Sequence, residues 1–326
     1  MFLLLLVSIC ATLPLLAPVC DTGRCLSGGY RNGLYLLRGT VVTPDEVIEE
    51  GEVLFNEGGI LCAGRTCEPH PSYCNAQLVE TGGYIFPGLI DPHNHITYRF
   101  LPPWDPPQQY QDRCEWIGSS DYYAYKACHD FHRDDTYRGA SGRSVEYQCI
   151  MEIYGEIAAL MGGVTSVQSQ LSDFGWDCAE GLVRNVDAQD ADGGWRGDTV
   201  DACTFPISTC SGNGSSCSNR ASIEEDIESG CLQSWVPHLG EGVDCQAYRE
   251  FEALTSCVDL LIPQTAIIHA TAFGPEEFAQ IAGAEAKIIA SARSNVNLYG
   301  RTLDLPAVLD AYGNRGLEDM VAISTD

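Results

Sequence analysis

One stretch constrains this chain more than any other: Tyr84-Ile85-Phe86-Pro87-Gly88-Leu89-Ile90-Asp91-Pro92-His93-Asn94-His95. An apolar run from Tyr84 to Ile90 leads into two histidines one residue apart. In a β-strand, residues i and i+2 point to the same side. The spacing therefore predicts that His93 and His95 present two imidazoles together at the carboxyl end of a strand. Borderline cations such as zinc favour that donor pair. A bare His-x-His on a surface loop is the bland alternative. The apolar strand and the Pro-Gly within it favour the metal.

The pattern recurs. Ser234–His238 and Thr265–His269 are apolar strands ending in a histidine, and Met320–Asp326 is one ending in a carboxylate. Further strands are expected at Val164–Ser169, Leu182–Val186, Thr199–Pro206 and Lys287–Ser291. Helical periodicity appears at Val145–Met161, Ile223–Gln233, Tyr248–Leu260, Pro275–Ala282 and Leu305–Tyr312. About eight strands, most separated by helices, read as a (β/α)8 TIM-type barrel over residues 83–326. In such a barrel the carboxyl ends of the strands converge on one face. His93, His95, His238, His269 and Asp326 would meet there. Residues 21–82 hold short strands bounded by turns and read as a small antiparallel β-sheet ahead of the barrel. Ile96 to about Gly142 reads as one long irregular segment rich in proline and aromatic residues. It would cover the site or form a disulfide-stapled excursion around Cys114 and Cys128. His129 and His132 lie there in a charged patch and read as solvated.

Charge and cysteine content restrict the partners and the compartment. The net charge is -27, with 18 Lys+Arg against 45 Asp+Glu, so a phosphate backbone is repelled and nucleic acid is not an expected partner. Residues 1–20 form an uncharged apolar leader interrupted by Pro14 and Pro18. It reads as a secretory signal peptide, with no stable membrane span expected. Lipidation of Cys20 is the alternative. The chain has 16 Cys and no Cys-x-x-Cys, which points to structural disulfides in an oxidising place: secreted, periplasmic or cell-surface. Asn213-Gly214-Ser215, in a loop between Cys210 and Cys217, is a glycosylation sequon if the source is eukaryotic. The signatures of His-x-Glu…Pro-Cys-x-x-Cys deaminases, HExxH proteases and Gly-x-Ser-x-Gly hydrolases are absent.

With these residues assembled, the chain resembles the metal-dependent amidohydrolase superfamily, in its cytosine-, guanine- and chlorotriazine-deaminase branch. The matching motifs are Pro87–His95, His238-Leu239-Gly240-Glu241-Gly242, Ile267-Ile268-His269, Ser294-Asn295-Val296-Asn297-Leu298-Tyr299-Gly300 and Ser324-Thr325-Asp326. The resemblance implies a small-molecule substrate and one divalent metal ion, Zn2+ or Fe2+, held by His93, His95, His238 and Asp326. It further implies that metal-activated hydroxide attacks an amino-heterocycle or a cyclic amide. Asp326 would take a proton from the water, Glu241 would protonate the leaving or ring nitrogen, and His269 would hydrogen-bond the nucleophile or oxyanion. Binuclear members bridge two metals with a lysine on the fourth strand. Neither Lys126 nor Lys287 lies near Thr199–Pro206, so one metal is expected, with Cys203 as the minor alternative bridge. The family continues beyond the position of Asp326, so an incomplete barrel, truncated after strand eight, is expected. In the family the strands ahead of the barrel pair with strands after it, which implies that residues 21–82 are the N-terminal portion of a small β-sandwich. The family often places a proline and a cysteine or histidine before Ser294-Asn295; here Ser291-Ala292-Arg293 stands instead. The competing functional reading is a non-catalytic, exported barrel that keeps the metal for stability or binding, or an inactive fragment.

Overall fold

The computed structural model describes residues 5–7, 33–133, 136–138, 144–168, 182–186, 200–204, 220–230, 232–313 and 320–326. The sequon at Asn213 and the loop between Cys210 and Cys217 lie outside them. The chain divides into two compact units, residues 1–89 with 162–165, and residues 90–161 with 166–326.

The first unit is a five-stranded sheet of β1 (Leu5–Val7), β2 (Leu34–Val42), β3 (Val47–Asn56), β4 (Gly59–Gly64) and β5 (Gln77–Pro87), ordered β1-β5-β2-β3-β4. It is mixed rather than antiparallel throughout, because β2 and β5 pair in parallel. The β2–β3 register sets Leu36 opposite Leu54 and Leu37 opposite Val53. Alternate residues face opposite sides, so Leu36 and Leu54 join one apolar cluster while Leu37 and Val53 join another with Val41, Ile48 and Ile85. Both faces of the sheet are therefore apolar. β2 is irregular after Gly39, where a Cβ would lie 2.2 Å from Thr81 Oγ1 and 2.7 Å from the Gly83 carbonyl oxygen. Only glycine fits there. A disulfide joins Cys62 to Cys67, beside the buried Glu52 carboxylate that accepts from Arg38, Tyr73 and the Cys67 amide.

The apolar run Tyr84–Ile90 is not one strand, contrary to the sequence pattern. Tyr84–Pro87 closes β5 in the first sheet, and only Leu89–Asp91 (β6) begins the second array. Pro87 has no amide hydrogen to continue a ladder, and Gly88 takes the chain between the two strands.

The second unit carries a short antiparallel pair, β7 (Thr136–Arg138) with β8 (Ser144–Glu146). The helix expected from Val145 starts two residues later for this reason and runs Tyr147–Met161. Then come β9 (Val164–Val167) and β10 (Arg184–Asn185), in a three-stranded sheet ordered β10-β9-β6. A second sheet follows the order β11 (Val200–Thr204), β12 (Ser234–Leu239), β13 (Ala266–His269), β14 (Lys287–Ala290), β15 (Val321–Ile323), all parallel. Helices Cys245–Ala253, Pro275–Gly283, Ala292–Tyr299 and Leu305–Tyr312 connect its strands. They pack a core that includes Trp235, Leu239, Phe251, Ile267, Phe278, Ile288 and Val308. The architecture is mixed α/β with parallel sheets. Among the described residues β6, β9 and β10 form one sheet and β11 to β15 another, and the two are separate.

The segment after His95 is more regular than its sequence suggests. It contains helices Arg113–Ile117 and Ser120–Arg133. The breakers Pro102, Pro103, Pro106 and Pro107 all precede Asp112, whose side chain accepts from the Cys114 and Glu115 amides and starts the first helix. His129 is not solvated. It is 2% exposed, and its ring stacks on Tyr98 with centroids 3.8 Å apart. Cys114 is disulfide-bonded, as a stapled segment requires, but not to Cys128.

Candidate metal centre and proton-transfer site

Every site residue named from the sequence comes to one place in the second unit. His238 and His269 end β12 and β13, where the ladder sets Leu239 beside His269 and His238 beside Ile268. His93 and His95 do not sit on a strand. They follow β6 by two and four residues, in a loop, so their convergence owes nothing to strand alternation. A polar knot holds that loop. Asn94 donates to Asp91 Oδ2 at 2.8 Å and to Thr325 Oγ1 at 2.7 Å, and the Thr325 amide donates to Asp91 Oδ1 at 3.1 Å. The Asp326 amide donates to the His93 carbonyl at 3.1 Å. The end of β6 and the end of β15 are thus tied together one residue away from the ligand atoms.

Asp326 Oδ1 lies 3.1 Å from His93 Nε2 and 3.2 Å from His95 Nε2. His238 Nε2 lies 3.2 Å from His93 Nε2. The other ring nitrogen of His93 is engaged: Nδ1 meets Gln168 Oε1 at 2.9 Å. An amide oxygen only accepts, so Nδ1 carries the hydrogen and Nε2 presents its lone pair to the centre. Asn295 Oδ1 does the same for His269 Nδ1 at 2.8 Å. Ser294, next along that helix, donates to Asp326 Oδ2. Burial disfavours charge on His93, yet the Asp326 carboxylate and Gln168 outweigh it and raise its pKa. Burial likewise opposes ionisation of Asp326, but His93, His95 and His269 hold its carboxyl well below the usual range. A buried anion balanced by imidazoles is a charge distribution that suits a cation.

The donor set fits a metal. Two groups, His93/His95/His238 and His93/His269/Asp326, each keep their ligand atoms within 4.8 Å of one another. Ligands about 2.0–2.1 Å from a tetrahedral zinc lie about 3.3 Å apart. The observed separations of 3.1–3.2 Å among His93, His95, His238 and Asp326 match that spacing. Lys126 pairs with Asp130 on its own helix, and Lys287 Nζ donates to backbone carbonyls at the amino end of β14. The side chain of Cys203 lies outside what the structure describes.

Glu241 is 6% exposed. Its Oε2 lies 3.7 Å from His269 Nε2, and its Oε1 accepts from the Tyr299 hydroxyl at 2.9 Å. The turn that carries it needs glycine at position 240, where φ is +63° and a Cβ would meet the Phe273 ring at 2.8 Å. Glu250 accepts from the Gly240 amide at 2.8 Å and pairs with Arg113 at 2.6 Å. His269 and Ala270 adopt left-handed backbone, φ 75° and 50°. Such strain costs on the order of 1–3 kcal/mol per residue and collects at functional sites. Here the Ala270 amide, bonded to the Leu239 carbonyl, holds it.

No family model matches the sequence, and no curated protein matches it by sequence. Solved structures do match. A triazine hydrolase variant superposes with TM-score 0.62 at 14% identity, covering 90% of this chain and 72% of the other. Guanine deaminase from Bradyrhizobium japonicum gives 0.60 at 15% identity over 90% of this chain and 70% of the other. An atrazine chlorohydrolase from Arthrobacter aurescens TC1, complexed with zinc, gives 0.59 at 14% identity over 89% and 71%. The fold is that of these triazine hydrolase, guanine deaminase and chlorohydrolase structures. Gln168 and the Arg113–Glu250 pair were not legible as site residues, and Tyr299 was legible only as part of a motif, without its bond to Glu241. Asn295 was legible only as part of a motif, without its bond to His269.

Proposed function

We propose that the protein is a metal-dependent hydrolase of carbon–nitrogen bonds other than peptide bonds, acting on a small amino-heterocycle or cyclic amide. The reading extends the fold to a (β/α)8 barrel built from both parallel arrays. His93, His95, His238 and Asp326 would hold one divalent ion, zinc or iron(II). When bound, the ion supplies Lewis acidity and makes water available as a nucleophile near neutral pH.

The chain's own residues do the rest. Asp326 receives the proton that the attacking water loses. Glu241 delivers a proton to the departing nitrogen, so that in a deamination ammonia leaves and a carbonyl remains on the ring. His269, held by Asn295, hydrogen-bonds the oxygen that gains charge. The observation that carries this reading is Glu241: a buried carboxylate with one oxygen directed at His269, beside a set of metal-spaced donors. A metal site kept for stability alone needs neither residue. The reading also places the protein in an oxidising compartment, secreted, periplasmic or cell-surface. The Cys62–Cys67 disulfide and the bonded states of Cys74, Cys114 and Cys149 support that.

Metal content and ammonia release from guanine and a panel of amino-heterocycles test the proposal. The purified protein should hold one equivalent of metal and turn over at least one compound. His93→Ala should lose the metal, and Glu241→Gln should keep it while turnover falls at least ~100-fold. One metal equivalent in His93→Ala, or unchanged turnover in Glu241→Gln, would overturn the assignment.

A further inference from the structure

Glu241 is held by a chain of two aromatic donors. Trp116 Nε1 lies 2.7 Å from the Tyr299 hydroxyl oxygen, which lies 2.9 Å from Glu241 Oε1. Tyr299 is 5% exposed and Glu241 6%. The direction of the chain follows from chemistry. An indole nitrogen only donates. The Tyr299 oxygen must accept from Trp116, and its single hydrogen points to Glu241. Oε1 is therefore occupied as an acceptor and is the wrong oxygen to carry a proton. Oε2 is left to do so, and Oε2 is the oxygen 3.7 Å from His269 Nε2.

We propose that Tyr299, oriented by Trp116, is a positioning residue that confines the exchangeable proton of Glu241 to Oε2, the oxygen facing His269 and the metal-spaced donors. The proposal rests on the reading of Glu241 as proton carrier. Tyr299 ends the helix Ala292–Tyr299, whose Asn295 and Ser294 already support His269 and Asp326. One helix thus orients three groups of the site. Trp116 comes from the segment after His95, which also meets the Glu241 turn by backbone bonding, the Val243 amide donating to the Gln111 carbonyl at 2.7 Å. That segment would act on the proton carrier as well as cover the site.

Two measurements on the zinc-loaded protein test the idea. In the first, tryptophan indole resonances are recorded on 15N-labelled protein, with Trp116→Phe identifying the Trp116 signal. Glu241→Gln should shift that signal, and Tyr299→Phe should abolish the response. A Trp116 resonance indifferent to Glu241→Gln overturns the relay, and this arm needs no substrate. In the second, hydrolysis is followed on guanine or another amino-heterocycle that is turned over. Tyr299→Phe should lower kcat by about 10-fold, the worth of one charge-assisted hydrogen bond, with KM changed less than about 2-fold. Added to Glu241→Gln, it should lower kcat no further. Full turnover in Tyr299→Phe alongside a dead Glu241→Gln overturns the positioning role but leaves the proposed function standing. Full turnover in Glu241→Gln overturns the proposed function itself.

Discussion

The β11–β15 half of the site and the β6–β9–β10 half hold their ligands by different means. His238 and His269 sit on strands backed by a dense apolar core, including Ile267, Phe278 and Ile288 at 0% exposure. His93 and His95 sit in a loop, beside a helix whose Ile150, Tyr154, Ile157 and Met161 are exposed. The buried charges differ in the same way. Glu250 is 2% exposed and fully engaged, by Arg113 and by the Gly240 amide. Glu152 is 1% exposed, and neither of its oxygens has a hydrogen-bond partner among the described residues. Strand-borne ligands inherit their precision from ladder and core. Loop-borne ligands depend on a few polar side chains, and there a single substitution has more to undo.

Arg113→Met should produce the largest loss of stability, because it leaves the Glu250 charge buried and uncompensated. About 3–5 kcal/mol is expected in denaturant unfolding, and Arg113→Met combined with Glu250→Gln should recover much of it. A loss below about 1 kcal/mol would show that the β12 side is no better tied than the other. Asp91→Ala removes the acceptor of Asn94 and Thr325 while touching no ligand atom. Zinc affinity should fall about 10-fold or more by chelator competition, with a smaller loss of stability. Unchanged affinity would mean that the backbone alone places His93 and Asp326.

A third contrast concerns Glu152. Burial first, and then the neighbouring Glu156 charge, push its pKa up to about 7. A carboxyl whose folded-state pKa is raised binds more protons folded than unfolded. Stability should therefore be unpenalised below the unfolded pKa of about 4.3, fall as pH rises toward 7, and level off above it. Glu152→Gln should flatten that fall in thermal unfolding scans. An unchanged pH dependence would show that Glu152 is accommodated as well as Glu250.

These contrasts explain what could be read early and what could not. His238 and His269 were legible because an apolar run ending in histidine is a local pattern, and parallel strands carry such ends to one face. His93 and His95 were legible as a pair for a reason that does not apply, since strand alternation stops at Asp91. The knot of Asp91, Asn94 and Thr325 holds the loop in which they converge. The helices Arg113–Ile117 and Ser120–Arg133 were hidden by the prolines before Asp112, and His129 by the charges beside it in sequence.

By itself the sequence determined the chemistry of the donors, the parallel α/β pattern and the acidic character of the chain. Those are properties of composition and of neighbours within a few residues. Tertiary structure decided which oxygen of Glu241 is engaged, which nitrogen of His93 and of His269 carries hydrogen, and which buried glutamate is paired. Each depends on atoms meeting across long stretches of sequence, 26 positions for Asn295 on His269, 58 for Tyr299 on Glu241 and 75 for Gln168 on His93. Hydrogen bonds act over about 3 Å, so no local pattern encodes that distance until the fold closes it.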